Sequence, residues 1–296
     1  MSRLSLLLIN PHARQVAEAG EAAVAKLRAA GLEIREEHLR KSVRPADLIL
    51  RHRSAISDVI VAGGDGTLNA FAEGLLEAKL PFGILPLGTA NDLARTLQIP
   101  TDLDEACRVV LGGHTRRIDL GCVNGKFFFN AASLGLSVEI AQKLTKEEKG
   151  RWGVFAYLVA LVRVLRYARP FRAEIRSGGV FHRVRTLQIT VGNGRHYGGG
   201  LTVDQACQID DGSLYLHSLE VSHWRQLVKL VFALRSGKFD EWREVRTMNG
   251  PEFTITPRRP RPVNTDGEVT TRTPAQFWVI PKALEVFVPE PTSIES

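Results

Sequence analysis

Short β-branched runs alternate with amphipathic stretches along the first third of the chain. That rhythm predicts βα units in a parallel sheet. Residues 4–9 read as a strand, 16–30 as a helix, 32–38 as a second strand, 45–56 as a helix opened by Pro45, and 58–62 as a third strand. A further helix is expected from Leu68, because Leu68, Phe71, Ala72, Leu75 and Leu76 repeat at the spacing of one buried helical face. Residues 82–85 then give another strand, followed by a loop and a helix running to about Leu97.

Past Leu120 the texture changes. KFFFNAASLG, VRTLQITVGN, GSLYLHSLEV, EFTITP and FWVI are phenylalanine-rich or alternating, and they predict a mainly antiparallel β domain. Two helical patterns interrupt it, at 152–167 and 221–234, and RRPRPVN near Arg258 reads as a proline-rich connector. The expected fold class is therefore α/β, with an N-terminal Rossmann-like domain over residues 1–122 and a β domain over 123–296. The last residues are free to return to the first domain. A chain of 296 residues is long enough for two such cores.

Composition adds little to the fold and more to the partners. The longest uncharged apolar stretch, WGVFAYLVALV at 152–162, is short of a membrane span, and LSLLLI near the start lacks the cleavage pattern of a signal peptide. Three dispersed cysteines, Cys107, Cys122 and Cys207, suggest neither a disulfide framework nor a zinc site, and fit a cytoplasmic protein. A net charge of +7 favours anionic partners: nucleotides, nucleic acid or an acidic membrane surface. Aromatic residues make up 7% of the chain without interleaving with basic ones, so nucleic acid ranks last.

The candidate chemistry lies in two glycine loops. VIVAGGDGTLNAF places Gly63, Gly64 and Gly66 between a strand and a helix, where backbone amides and the helix dipole converge on an anion. Asp65 in their midst would repel a bare phosphate, so either its side chain points elsewhere or a divalent cation or a ligand hydroxyl sits between them, and phosphoryl transfer is the chemistry suggested. A tight structural turn is the competing reading. A P-loop is excluded because both Gly-Lys pairs, at Gly125 and Gly237, are followed by phenylalanine, and a dinucleotide fingerprint would need glycine at Asn69. The second loop, PLGTANDLAR at 86–95, leaves the next strand in sequence, and Asn91 or Asp92 there reads equally well as a helix N-cap.

GGDGTLN together with PLGTANDLAR resembles the catalytic domain of diacylglycerol kinases, in particular bacterial YegS-type lipid kinases related to sphingosine kinases. INPHAR, ASLGLSVE, GRWGVFAYL, YGGGL, DDGSL and TDGE extend the resemblance over nearly the whole chain. It implies an N-terminal three-layer domain similar to NAD kinase and phosphofructokinase, a C-terminal β-sandwich-like domain, and an active site between them. It implies an ATP-dependent, Mg2+-requiring kinase acting on a lipid hydroxyl such as that of diacylglycerol or phosphatidylglycerol. By similarity, Gly63, Gly64, Asp65, Gly66, Thr67, Leu68, Asn69 and Thr89 contact the nucleotide, with Arg40 aligned near a threonine of that site. Asp65 acts near the phosphates through magnesium, and Glu268 of the TDGE sequence is the general base, although Asp266-Gly267 also reads as a plain hairpin turn.

A second, structural metal site would take the Asp211 carboxylate and the carbonyls of Gln208 and Ser213, although this stretch also reads as an ordinary turn. Ala70, Arg40, Asp204 and Tyr215 depart from the family pattern. A lipid substrate implies transient contact with an anionic membrane, for which the basic amphipathic segments around His223–Lys238 and Val159–Arg172 are candidates. The oligomeric state is left open, a homodimer included. NAD kinase activity on a soluble acceptor and a catalytically silent nucleotide- or lipid-binding protein are the alternatives. The absence of any Asn-Glu pair speaks against the first, and retention of Asp65 and Glu268 against the second.

Overall fold

The computed structural model describes residues 3–10, 14–39, 43–136, 138, 169–197, 201–202, 207–220 and 245–290. The helical patterns at 152–167 and 221–234, the basic segment at 223–238, and Arg40 and Asp204 lie outside the described residues. The chain forms two compact units, one of Met1–Leu120 with Ile280–Ser296, the other of Gly121–Tyr197 with Leu201–Val279.

The first unit is built on parallel strands β1 (Leu4–Ile9), β2 (Glu33–His38), β3 (Asp58–Gly63) and β4 (Phe82–Pro86), in the order β2-β1-β3-β4. Leu7 lies opposite Ile60, and Val61 opposite Ile84. LSLLLI and DVIVAG are buried almost without interruption, because both faces of a central parallel strand are covered by helices, whereas the edge strand β2 carries EIREEH. Helices α1 (Arg14–Ala29), α2 (Pro45–Leu50) and α3 (Asp65–Ala78) connect these strands in turn. α2 stops well short of the expected 56, and its continuation is a run of turns. α3 meets α2 so closely that a Cβ on Gly74 would lie 2.8 Å from Ala46 Cα.

After β4 come the short α4 (Asp92–Thr96) and α5 (Leu103–Gly112). The sequence pattern did not reveal α5, whose start is set by Asp102: its carboxylate accepts hydrogen bonds from the amides of Asp104 and Glu105, both at 3.0 Å. All three cysteines are buried and form no disulfide, and burial pushes the thiols of Cys107 and Cys122 up.

The second unit is antiparallel. Its strands are β5 (Thr115–Val123, which begins in the first unit), β6 (Lys126–Phe128), β7 (Ala131–Gly135), β8 (Phe171–Ser177), β9 (Val180–Thr186), β10 (Gln188–Gly192), β11 (His196–Tyr197), β12 (Leu201–Thr202), β13 (Leu214–Leu219), β14 (Val245–Gly250), β15 (Glu252–Pro257), β16 (Pro262–Thr265), β17 (Glu268–Arg272) and the first part of β18 (Ala275–Phe287). One sheet runs β14-β13-β10-β7-β16-β17; in the other, β18, β15, β8 and β9 are neighbours.

Alternate residues of the two sheets interdigitate in one core, including Leu134, Ile189, Val191 and Leu216 from the first and Ile175, Phe253, Ile255 and Phe277 from the second. Phe128 and Phe277 meet edge to face at 6.5 Å. This is the expected β sandwich. The RRPRPVN stretch is not a mere connector, since Pro262–Thr265 is strand β16, with the second proline, Pro262, at the strand's opening position.

Candidate active site

The first glycine loop is shorter than its sequence suggests. α3 begins at Asp65, not Leu68, with Gly64 as N-cap, so Gly66, Thr67, Leu68 and Asn69 belong to the opening helical turns. Gly63 ends β3, and a Cβ there would sit 2.6 Å from Thr67 Oγ1. The Thr67 hydroxyl turns inward and accepts from Asn10 Nδ2 at 3.1 Å, and Leu68 is only 2% exposed. The side chains of Thr67 and Leu68 are thus turned inward and their amides donate to the Gly64 carbonyl at 2.9 and 3.1 Å, while Gly66 is exposed.

The second loop lies against the first, backbone to backbone. A Cβ on Gly88 would lie 2.5 Å from Gly64 Cα, and one on Gly64 would lie 2.9 Å from Gly88 Cα. Only glycine permits that approach. Asn91, in a left-handed conformation with φ 51°, locks the loop: its Oδ1 accepts from the Gly88 amide and its Nδ2 donates to the Gly88 carbonyl, both at 2.9 Å. Thr89 is left exposed at the tip.

Asp65 joins the two. Its Oδ2 accepts from the Asp92 amide and its Oδ1 from the Leu93 amide, each at 3.1 Å. Asn91 holds the N-cap position of α4 but does not cap it through its side chain, and the Asp65 carboxylate receives the two amides instead. This resolves the repulsion that the sequence poses, because the charge of Asp65 is met by the amides and positive end of α4.

Gly88→Ala is expected to force the loops apart. It should lower stability by about 1–3 kcal/mol, as overpacking does, and weaken nucleotide binding along with it. Thermal melting with and without nucleotide checks this, and a variant with unaltered melting would contradict the backbone contact.

Glu268 belongs to the second unit, as the first residue of β17. It is exposed, immediately after the two-residue turn Asp266-Gly267, whose φ values of 45° and 99° are those of a twist-matched hairpin turn. Asp266 does more than turn the chain. Its carboxylate accepts from the amides of Phe129 at 2.7 Å and of Asn130 and Ala131 at 3.0 Å, while Asn264 Oδ1 accepts from the Gly267 amide at 2.9 Å. The hairpin presenting Glu268 is thereby fixed to β7. Sequence reasoning passed over Asp266, Asn264 and Asn10 as site-building residues. The DG turn and the asparagine of INPHAR were the available signals.

The residues of the expected structural metal site form a different arrangement. Asp211 Oδ1 accepts from the Ser213 amide at 2.9 Å, and Oδ2 accepts from the Tyr215 hydroxyl at 2.6 Å and the Gln208 amide at 3.4 Å. These donors hold the Asp211 carboxylate within its own turn, with the amides of Gln208 and Ser213, not their carbonyls, directed at it. Among the described residues, no three His, Cys, Asp or Glu side chains gather into a metal-binding group. Nor is any helix among them long and apolar enough to cross a membrane.

A helix N-terminus opened by glycines, set beside a second glycine loop at the carboxyl ends of parallel strands, defines a phosphate-handling α/β protein. The chain matches the diacylglycerol kinase catalytic domain over residues 5–123 and the YegS C-terminal NAD kinase beta sandwich-like domain over 130–288. It is 31% identical over 292 residues to a "Probable lipid kinase YegS-like" protein of Klebsiella pneumoniae (strain 342), covering 96% of each chain. Identity to a "Diacylglycerol kinase" of Staphylococcus carnosus (strain TM300) is 29% over 234 residues, 78% of this chain and 76% of that one. The crystal structure of a diacylglycerol kinase from Bacillus anthracis str. Sterne superimposes with a TM-score of 0.79 at 22% identity, over 98% of both chains, a likeness of fold. The chain belongs to the diacylglycerol kinase and YegS-like family of lipid kinases.

Proposed function

We propose that the protein transfers the γ-phosphoryl group of ATP to a hydroxyl of a glycerolipid such as diacylglycerol or phosphatidylglycerol, with magnesium. The observation that carries this reading is the pair of glycine loops brought into backbone contact at Gly64 and Gly88 and tied by the Asp65 carboxylate. The opening of α3 at Asp65-Gly66 turns the positive end of the helix toward the phosphates, and exposed Gly66 and Thr89 leave room for a nucleotide to approach.

Asp65 fits magnesium held through water. It is the carboxylate of the first glycine loop, and magnesium on a phosphate group is commonly held by one or two such carboxylates and several waters. A bound magnesium there would supply neutralisation of the charge on the transferring group. In the reaction itself, the lipid oxygen forms a bond to the γ-phosphorus as the bond from phosphorus to the β–γ bridging oxygen breaks, and ADP leaves. Glu268 takes the hydroxyl proton. Asp266 acts as a positioning residue by holding the hairpin from which Glu268 projects.

The test incubates the full chain with γ-labelled ATP, magnesium and a mixed lipid extract, and follows label into the organic phase. Glu268→Gln should lower turnover by about 10²–10⁴, the contribution typical of a positioned base. Stability should stay within about 0.5 kcal/mol of wild type because the side chain is exposed. Label passing instead to soluble NAD, or ATP binding without transfer, would overturn the proposal.

A further inference from the structure

We infer that the outer face of the β15–β8–β9 sheet docks on the surface of an anionic phospholipid bilayer. This deepens the lipid-kinase reading and rests on it for its purpose, but the observations are those of the face itself. Residues directly opposite one another in a sheet share a face. The pairs Arg172↔Arg185, Glu174↔Arg183 and Arg176↔Phe181 across β8 and β9, with Glu174↔Thr256 and Arg176↔Thr254 across to β15, therefore define the outward side. The other side of the same strands holds Ala173, Ile175, Val184 and Ile255 in the sandwich core.

Three arginines make one row across this face. Arg172 stands opposite Arg185, and the Arg258 amide donates to the Arg172 carbonyl at 3.1 Å, which sets Arg258 on the other flank. All three are exposed, and among the described residues none of the three forms an ion pair. Like charges directly opposite each other destabilise a sheet, so the row is accounted for by a ligand of opposite sign. The nearest acid in the sheet, Glu174, is already engaged by Arg176 at 2.8 Å and Arg183 at 3.8 Å. Arg172, Glu174, Arg183, Arg185, Thr256 and Arg258 line a hollow of about 460 Å³, and a second of about 420 Å³ adjoins Arg176 and Trp278.

The apolar residues choose between a bilayer and a nucleic acid. Phe181 is 57% exposed beside the Gly178-Gly179 turn, as is its neighbour Val180, and Trp278 is 37% exposed opposite Glu252. They lie at the hairpin end of the face, away from the row of Arg172, Arg185 and Arg258, with Arg176 directly opposite Phe181. Arg183 lies over one face of the Phe181 ring at 6.0 Å, and the apolar side chains gather at one end of the face instead of following a strand as successive stacking platforms. Arginines that meet headgroup phosphates, bordered by aromatic side chains that enter the interface, are the pattern of a membrane-surface contact.

The test uses the full chain with vesicles of phosphatidylcholine alone, vesicles of phosphatidylcholine with phosphatidylglycerol, and single-stranded RNA. Wild type should sediment with the anionic vesicles and not the neutral ones, less so as salt rises. Arg172→Glu combined with Arg185→Glu should lower partitioning at least about tenfold. Its melting temperature should hold or rise, and phosphorylation of a dispersed short-chain diacylglycerol should be unchanged. Phe181→Ser should weaken vesicle binding without altering its salt dependence.

Three results would overturn the inference: anionic-vesicle binding indifferent to the double charge reversal, equal binding to neutral vesicles, or RNA binding lost in the variant while vesicle binding persists. A failure of the lipid-kinase reading would look different, as absence of transfer to the dispersed substrate by wild type whatever the vesicles show.

Discussion

Asp266→Ala is expected to lower stability by about 3–5 kcal/mol and to abolish activity at temperatures where wild type works. The estimate rests on the three backbone amides that this carboxylate receives, those of Phe129, Asn130 and Ala131. Hydrogen bonds to a charged acceptor contribute about 1.5–3 kcal/mol each, and a buried donor left without an acceptor carries its desolvation penalty besides. Phe129 and Asn130 are 1% and 3% exposed, so water does not readily replace the lost acceptor. The contributions share one carboxylate and do not add in full, which keeps the figure below their sum. Asp266→Asn should fall between: its carbonyl oxygen still accepts, while its amide group confronts a backbone N–H. Denaturant melts of the two variants beside Glu268→Gln separate the roles of neighbouring residues. Loss of stability confined to position 266 and loss of turnover alone at 268 is the expected outcome. Equal stability of all three would mean that the Asp266 network contributes nothing.

The parallel strands were legible because their demands are local. β1 (LSLLLI) and β3 (DVIVAG) are dominated by leucine or β-branched residues, and such runs suit strands covered on both faces. The start of α3 was misread for an equally local reason: Gly66 has poor helix propensity, so the eye carries the loop on to Leu68. A glycine in the first turn is nevertheless tolerated when tertiary contacts fix the helix start, and here Gly64 must be small to meet Gly88. α5 was overlooked because ten residues give too few turns for the apolar period to stand out, although Asp102 before Asp104-Glu105 was a usable start signal. The partners of Asp266 could not be read at all, since Phe129 is 137 positions away in the chain. The glycine loops announced a phosphate site, but their spacing did not disclose that Asp65 caps α4. Tyr215, already conspicuous as a departure from the family pattern, proved to donate to the very carboxylate proposed as a metal ligand.

Asp65→Ala is expected to remove at least about a hundredfold in kcat/KM and about 1–3 kcal/mol of stability. The two losses have one origin. Without the carboxylate, the amides of Asp92 and Leu93 lose their acceptor, which is the loss of a helix cap. The loop bearing Thr89 then loses its tie to the loop bearing Gly64, and a displacement of about 1 Å in a positioning element is enough for a hundredfold loss of rate. Asp65→Asn distinguishes the tie from the charge. The asparagine oxygen can still cap one amide and its volume is nearly unchanged, so stability should recover most of the way toward wild type. If Asp65 also serves the transferring phosphoryl group through a hydrated magnesium, kcat should stay as low as in the alanine variant, and raising magnesium should not rescue it. If Asp65 only joins the loops, the asparagine variant should regain kcat together with its stability, with the residual defect confined to KM for ATP. A full recovery of both would remove Asp65 from the chemistry and leave it as the residue that assembles the nucleotide site from two separate strands.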